Sequence, residues 1–243
     1  MRIEMIDIYT PMNLIEDEND NIDVFVKTDE GYIYNVLCIN PKNIYWYMDK
    51  EELNYMPSGI PGIFVRSLTE DNIRKAIEHY SKSQGYWLKF YGLIGIRESL
   101  FSIDSIKTIF YEMNSHINYE FKENIEANEI EYSTPIELIQ DIENDSIDIF
   151  VKTNEGLKYN ITVTTPKNLY YCMDKRQINY LLPDYPKLIV RSLTRTNIEK
   201  AIESYLDDYG YWMKVFHLAK NSENVFSLKL LNKMLQEING ENQ

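Results

Sequence analysis

Residues 18–31 read ENDNIDVFVKTDEG, and residues 143–156 read ENDSIDIFVKTNEG. Sliding the chain by 125 residues extends this match without a gap, so that residues 19–93 align with residues 144–218, and 39 of the 75 pairs are identical. Repeats that stack into a solenoid need at least about three copies to bury a core. Two copies of this length are each large enough to be a domain, so the sequence predicts a tandem duplication of one domain.

Each copy begins with the pattern of a β-hairpin. In the first copy Ile22, Val24 and Val26 occupy every second position, which is typical of a strand with one face turned inward. Gly31 follows and supplies a residue that tolerates a left-handed turn. The segment 34–38 then places Tyr, Val and Cys on one face of a second strand. The second copy repeats the pattern.

The rest of each copy predicts alternating helices and strands. In the first copy Pro41 suits a first helical turn, and the apolar run 63–68 predicts a buried strand. Thr69 is a helix cap, so a helix should follow it. The segment GYWLKFYGL at 85–93 predicts a last strand, and a helix that starts near Ser102 closes the copy. The predicted fold is therefore α+β, with two tandem β-β-α-β-α-β-α modules.

We assign residues 1–115 to the first repeat, 116–131 to a charged connector and 132–243 to the second repeat. The net charge of −13 divides unevenly among these segments. The first repeat holds 11 basic and 18 acidic residues, the connector 1 and 5, and the second repeat 13 and 15, which gives −7, −4 and −2. Nucleic acids and anionic membranes need a basic footprint, so the charge argues against both and favours a basic protein partner.

The compartment is predicted from three further features. No apolar run approaches the roughly 18 residues of a membrane span, and the start MRIEMIDIYTP carries acids where a secretion signal carries a basic start and an apolar block. Two cysteines, Cys38 and Cys172, argue against a disulfide framework. We expect a cytoplasmic protein with reduced thiols. The sequence predicts no particular oligomeric state.

Motifs for chemistry are missing from the sequence. The acidic stretch 17–23 suggests calcium, but a calcium loop of the EF-hand kind needs glycine and glutamate where Ile22 and Thr28 stand. No histidine or cysteine cluster has zinc-ligand spacing, and neither a P-loop nor a nucleophile elbow is found. We therefore expect no catalytic residue, no cofactor and no metal. An enzyme with a site between the repeats stays open, because ligand sites favour domain interfaces.

Arg66 and Arg191 are identical in the two copies, and each precedes Ser-Leu-Thr at a predicted helix start. One interpretation makes them anion ligands at the helix N-terminus. The other makes them partners of local carboxylates that hold the module together. Retention in two copies does not distinguish a site from a scaffold, so both interpretations stay open.

The copies differ on one face of the second hairpin strand. In the first copy this face is apolar apart from one asparagine: Ile33, Asn35, Leu37 and Ile39. In the second copy the same positions are polar: Lys158, Asn160, Thr162 and Thr164. Grouped apolar residues on an exposed face are usually covered by something. We predict that Ile33, Leu37 and Ile39 form such a face, covered by the sister repeat, a second chain or a foreign partner, while the second copy's face is solvated.

Acidic residues diverge in the same direction. Two adjacent acidic pairs of the first copy are replaced in the second: Glu51-Glu52 by Arg176-Gln177, and Glu70-Asp71 by Arg195-Thr196. Three consecutive aromatic residues of the predicted first helix accompany them: Tyr45, Trp46 and Tyr47. Acids combined with Tyr and Trp are suited to anchoring a basic protein surface. We predict a partner-binding surface from these seven residues; the alternative is a core-facing aromatic helix with a solvated edge.

Two motifs resemble those of known proteins. TPKN-xxxx-MDK at 165–175 and VRSLT-xx-NI-x-KAI at 65–77 resemble small bacterial α+β immunity proteins, which neutralise contact-dependent and polymorphic toxins. The resemblance implies a cytoplasmic, non-enzymatic inhibitor of a basic toxin domain, and it transfers no functional residue. The first copy departs from the motif with Asn40 in place of Thr165. A structural protein that self-assembles is a further alternative.

Overall fold

The computed structural model describes residues 1–16, 19–94, 101–114, 120–221 and 226–240. Within them the chain forms two four-stranded sheets and seven α-helices. The elements of the first half are β1 (Ile3–Ile8), β2 (Asn21–Thr28), β3 (Ile33–Ile39), α1 (Pro41–Lys50), β4 (Ile63–Phe64), α2 (Glu70–Tyr80), α3 (Lys82–Ile94) and α4 (Ile103–Met113). Those of the second half are β5 (Ala127–Tyr132), β6 (Ser146–Thr153), β7 (Lys158–Thr164), α5 (Pro166–Arg176), β8 (Leu188–Ile189), α6 (Arg195–Lys220) and α7 (Leu228–Gly240).

The two sheets have the same strand order and the same strand directions. The order is β1-β2-β3-β4 in one and β5-β6-β7-β8 in the other, with the fourth strand parallel to the third and the other pairs antiparallel. Val24 pairs with Val36, and Ile149 pairs with Ile161, so the hairpin register is also the same. The mixed α+β class is therefore confirmed.

Several predicted element boundaries agree with the structure, although the strand predicted over 63–68 is confined to Ile63–Phe64. Gly31 adopts φ +84° in the predicted hairpin turn. The Asn40 side chain accepts a hydrogen bond from the Lys42 N–H at 2.7 Å and caps α1, which has Pro41 in its first turn. The hydroxyl of Thr69 caps α2 by accepting the Asn72 N–H at 3.3 Å.

The predicted last strand of each copy is wrong. Residues 85–93 lie in α3, and their counterparts at 210–218 lie in α6. These segments are buried on nearly all sides, and a continuous apolar run cannot be divided into strand or helix by its periodicity. The edge strands β1 and β5 were not predicted. The first half therefore runs β-β-β-α-β-α-α-α instead of β-β-α-β-α-β-α.

The predicted closing helices form, but each packs mainly on the opposite half. Helix α4 contacts α6, where the Phe110 ring lies 5.9 Å from that of Tyr159 and 6.1 Å from that of His217. Helix α7 contacts α3, where the Lys89 ammonium donates to Asn232 Oδ1 at 2.7 Å. One hydrophobic cluster accordingly contains core residues of both halves.

A second, smaller cluster lies between the halves. It joins five buried residues: Ile39, Ile44, Met48, Leu169 and Ile189. Helices α1 and α5, which follow the hairpins, contact each other. Strand β5 begins inside the segment assigned to the connector, and the domain boundaries remain predictions.

Candidate functional site

The four predicted acids all lie at the surface: Glu51, Glu52, Glu70 and Asp71. Two of them are engaged in ion pairs along α2. Glu70 pairs with Arg74 at 2.8 Å, one helical turn away. Asp71 pairs with Lys75 at 2.7 Å in the same way. Such exposed pairs are worth little energy, so all four carboxylates remain accessible to a partner.

The three predicted aromatic residues enter three different environments. Tyr45 is half-buried and lies beneath the Arg191 guanidinium, 5.6 Å from ring centre to carbon. Trp46 is exposed, with the Lys50 ammonium 5.2 Å from its ring. Tyr47 lines a cavity between the halves. The residues of α1 therefore do not present one continuous aromatic surface.

Arg66 and Arg191 pair with carboxylates across the boundary between the halves. Arg66 forms an ion pair with Asp174, and its guanidinium lies 5.4 Å from the ring of Tyr170. Arg191 forms the reciprocal pair with Asp49 and covers Tyr45. These contacts favour the scaffold interpretation, except that each carboxylate belongs to the other half instead of the arginine's own module.

Backbone hydrogen bonds join the halves beside these ion pairs. The Met56 N–H donates to Ile189 O at 2.9 Å, and the Leu181 N–H donates to Phe64 O at 2.9 Å. A short segment of each half thus pairs in antiparallel fashion beside the fourth strand of the other half. The reciprocal contacts fix the two halves relative to each other.

A cavity of about 330 Å³ lies at this boundary. Residues of α1, β3 and the 56–62 loop line it from the first half, and residues of α5 and the 181–187 loop line it from the second. Its lining includes the exposed side chains Ile60 and Arg176, which mark its opening.

The predicted apolar face is divided among three surroundings. Ile33 is 62% exposed, Leu37 is half-buried and lines the cavity, and Ile39 is buried against the second half. The expectation that the second copy's face is solvated is wrong for Thr162 and Thr164, which are both buried. Thr162 is satisfied internally, because its hydroxyl donates to Asp148 at 2.5 Å.

The first sheet exposes apolar side chains on its outer face, the face turned away from its helices. Three of them are large and well exposed: Met5 at 48%, Tyr9 at 77% and Ile33 at 62%. Phe25 lies between them and contacts Tyr9 edge-on at 6.3 Å. Asp7 and Asp23 on the same face form no ion pair with any described residue.

The outer face of the second sheet is charged and internally paired. At the equivalent register positions of the second sheet, Glu129 replaces Met5 and Lys158 replaces Ile33. Lys158 pairs with Glu131 at 2.6 Å and lies 4.8 Å from the Phe150 ring. Lys152 pairs with the same carboxylate at 2.8 Å, which lowers the pKa of Glu131 to about 2. The two faces therefore differ in both polarity and charge compensation.

A buried ion pair was not predicted from the sequence. Lys214 and Glu155 are fully buried at 3.1 Å, and the Lys214 ammonium also donates to Tyr209 O at 2.6 Å. Burial lowers the pKa of Lys214 to about 8, and the Glu155 carboxylate opposes this shift. Because the Lys214 side chain is inaccessible to solvent, we assign its ammonium a structural role. The signal was present, because Lys89 and Glu30 occupy the same positions in the first copy and also pair, at 2.7 Å.

In the described part of the chain, no group of three or more His, Cys, Asp or Glu side chains could hold a metal ion. Asp17, part of the acidic stretch, lies outside the described residues. No described helix combines the length and the apolar character that crossing a membrane requires. Comparison of the chain with protein-family models, with curated proteins and with solved structures finds no match.

Proposed function

We propose that the protein is a non-enzymatic binding protein whose first half docks a basic protein partner. The contrast between the two outer sheet faces carries this proposal. Met5 and Ile33 expose apolar surface where the second sheet has the paired charges of Glu129 and Lys158, and Tyr9 adds exposed aromatic surface to the same face. Apolar patches of this kind mark interaction sites, and the unpaired carboxylates of Asp7 and Asp23 complement a cationic surface.

The exposed acids near α1 and α2 add a long-range contribution. Glu51, Glu52, Glu70 and Asp71 need no direct contact to attract a basic partner, because the summed field of the first half steers the encounter. The apolar outer face would then set the dissociation rate, since short-range packing controls lifetime more than charge does.

An immunity protein that neutralises a basic toxin domain in the cytoplasm is the most concrete form of this function. The motif resemblance supports it. So does the repeated sequence with its matching sheet orders, which we interpret as a tandem duplication with one divergent copy. A gene for a large secreted toxin next to the gene for this chain would support the proposal, and the toxin domain would be the probe. A metabolic operon there would contradict the immunity form.

The decisive experiment exchanges residues between the outer faces. Met5→Glu with Ile33→Lys gives the first face the residues of the second, and should speed dissociation of the toxin domain about tenfold or more. The matched control, Glu129→Met with Lys158→Ile, changes the second face and should leave dissociation unchanged. Surface plasmon resonance measures both, and equal effects would refute the assignment of the docking face.

Steering is tested separately. Reversing the charges of Glu51, Glu52, Glu70 and Asp71 should slow association and flatten its dependence on salt, with little change in dissociation. An association rate that keeps its value and its salt dependence would remove these four residues from the proposal.

The cavity between the halves supports a second candidate function, an enzyme with its site at that boundary. Turnover of a small molecule by the isolated protein would favour this alternative. Concentration-dependent oligomers in gel filtration would favour the third possibility, a self-assembling structural protein.

A further inference from the structure

The cavity between the halves has the size and lining of a small-molecule site. Its volume of about 330 Å³ lies near the lower end of the range of ligand sites, roughly 300–1,000 Å³. Both halves contribute apolar side chains to the lining, including Leu37, Ile44, Phe64, Leu181 and Phe216. An apolar chain would therefore be well accommodated there.

One face of α5 gives the cavity its polar groups. Asn168, Cys172 and Arg176 are spaced four residues apart and all line it, as the helical repeat requires. Asn168 is 8% exposed. Its Oδ1 accepts the Thr164 hydroxyl at 3.3 Å and the Cys172 thiol at 3.7 Å. These three side chains give one side of the cavity a polar character, so the cavity is not a purely hydrocarbon void.

The charge of the lining is opposite to that of the chain. Among the described lining residues, those with a full charge at neutral pH are Arg176, Lys187 and Asp184, which sum to +1, whereas the whole chain carries −13. Asp184 already pairs with Lys187 at 3.1 Å. Arg176 pairs with no carboxylate within the described residues, and it stands at the opening. It is therefore the group available to an anion.

We infer that the cavity binds a medium-chain aliphatic carboxylate, with the chain between the two halves and the carboxylate at Arg176. This inference rests on the cavity and does not depend on the proposed protein partner. The ligand would contact both halves at once and so would stabilise their packing.

Chain length provides the first test. Octanoate, nonanoate and decanoate, each used below its micelle-forming concentration, should bind with a stoichiometry of one in calorimetry. Each added methylene should tighten binding about fourfold, because roughly 0.8 kcal/mol accompanies each buried CH₂. Decanol should bind more weakly than decanoate, since it offers Arg176 no charge.

Thiol labelling locates the site on the protein. Cys172 lines the cavity and is partly accessible, whereas Cys38 is fully buried. Saturating decanoate should slow maleimide labelling of Cys172 at least fivefold. The variant Cys172→Ala should lose the labelling that decanoate suppresses, which identifies the thiol.

Matched variants test the anion site. Arg176→Gln should weaken decanoate binding about tenfold, the loss expected for one charge-assisted hydrogen bond, and leave decanol binding unchanged. Lys175→Gln removes the neighbouring exposed charge, which does not line the cavity, and should have little effect. Equal losses in the two variants would overturn the role of Arg176. Failure of every acid to bind saturably, or to protect Cys172, would overturn the site itself.

Discussion

At the residue scale, the buried pair of Lys214 and Glu155 shows how one charge is retained inside an apolar core. The carboxylate also accepts the Tyr159 hydroxyl at 2.7 Å and the Lys122 N–H at 3.2 Å. A buried charge pair is tolerable only when its remaining hydrogen bonds are satisfied. The pair therefore fixes the positions of β7 and α6 and of the segment before β5.

Removing the lysine alone should be severely destabilising. Lys214→Met leaves the Glu155 carboxylate buried without its counter-charge and should cost about 3–5 kcal/mol of unfolding free energy. The double variant Lys214→Met with Glu155→Gln should recover part of that loss. Urea unfolding measures both. Lys89→Met should cost less, because its partner Glu30 is about one-third exposed and can be hydrated; equal losses at the two lysines would contradict this account.

His217 should make stability depend on pH. Burial, aided by the charge of Lys220, lowers its pKa to about 4 from its usual 6.5. The unfolded chain then binds a proton that the folded chain does not, so this contribution is full above pH 6.5 and is lost as pH falls towards 4. The loss reaches up to about 3 kcal/mol.

A variant isolates this contribution from the other titrating groups. His217→Gln has no proton to bind, so the stability advantage of the native chain over the variant should shrink between pH 7 and pH 4.5. Urea unfolding at a series of pH values measures it. An advantage that is constant with pH would show that His217 does not titrate as described.

Local residue roles were predictable, whereas long-range partners were not. The predicted cap Thr69 acts on a backbone group three residues away, so neighbouring sequence was enough to identify it. Arg66 meets Asp174 across 108 positions of the chain. No local pattern carries that information, because the pairing depends on how the halves pack.

At the element scale, the joints between helices depend on left-handed backbone. Ser83, Gln84 and Gly85 have φ of 51°, 58° and 70° near the start of α3, where the helix is broken. Gly210 ends the corresponding break within α6 at φ 63°. Residues with a Cβ pay roughly 1–2 kcal/mol for this conformation. The break changes the direction of the chain, so that the buried helical segment after it packs on the sheet of its own half.

Adding a Cβ at one of these left-handed positions and removing a Cβ at another should have opposite effects on the unfolding free energy. Gly210→Ala should lower the unfolding free energy by about 1–2 kcal/mol, since alanine would carry the left-handed strain and its Cβ would approach Ile125 Cδ1 at 2.8 Å. Gln84→Gly should raise it by up to about 1 kcal/mol, because the exposed glutamine loses strain and no buried contact. Thermal and urea unfolding measure both, and changes of the same sign would contradict the argument.

The hairpins were predictable because alternation and a turn glycine are both local signals. The helices over 85–93 and 210–218 were not, because burial on nearly all sides removes the polar face that marks an amphipathic helix. The outer faces of the sheets could be compared only after the register placed Met5 opposite Lys27. The candidate docking face thus needed strand β1, which the sequence did not predict.

At the scale of the whole molecule, the exchanged helices α4 and α7 couple the two halves. Leu231 of α7 is fully buried, and α7 packs on α3. Phe110 of α4 is buried against the second half. Neither half completes its core from its own residues, so the chain should unfold in one cooperative transition.

Reciprocal variants test this exchange. Leu231→Ala should cost about 2–5 kcal/mol and accelerate amide hydrogen exchange in α3, more than in α6. Phe110→Ala should show the opposite pattern, with faster exchange in α6 and β7. Native-state hydrogen exchange with mass spectrometry measures both. Faster exchange confined to the half that carries the substitution would show that the helices are not exchanged.

The exchange of α4 and α7 also sets an order of events during translation. Helix α3 emerges from the ribosome more than 130 residues before α7, which covers it. At about 5–20 residues per second the delay is on the order of ten seconds. Throughout that interval the apolar side of α3 is open to chaperones or to a neighbouring nascent chain. Maturation of the N-terminal half is therefore timed by the synthesis of α7.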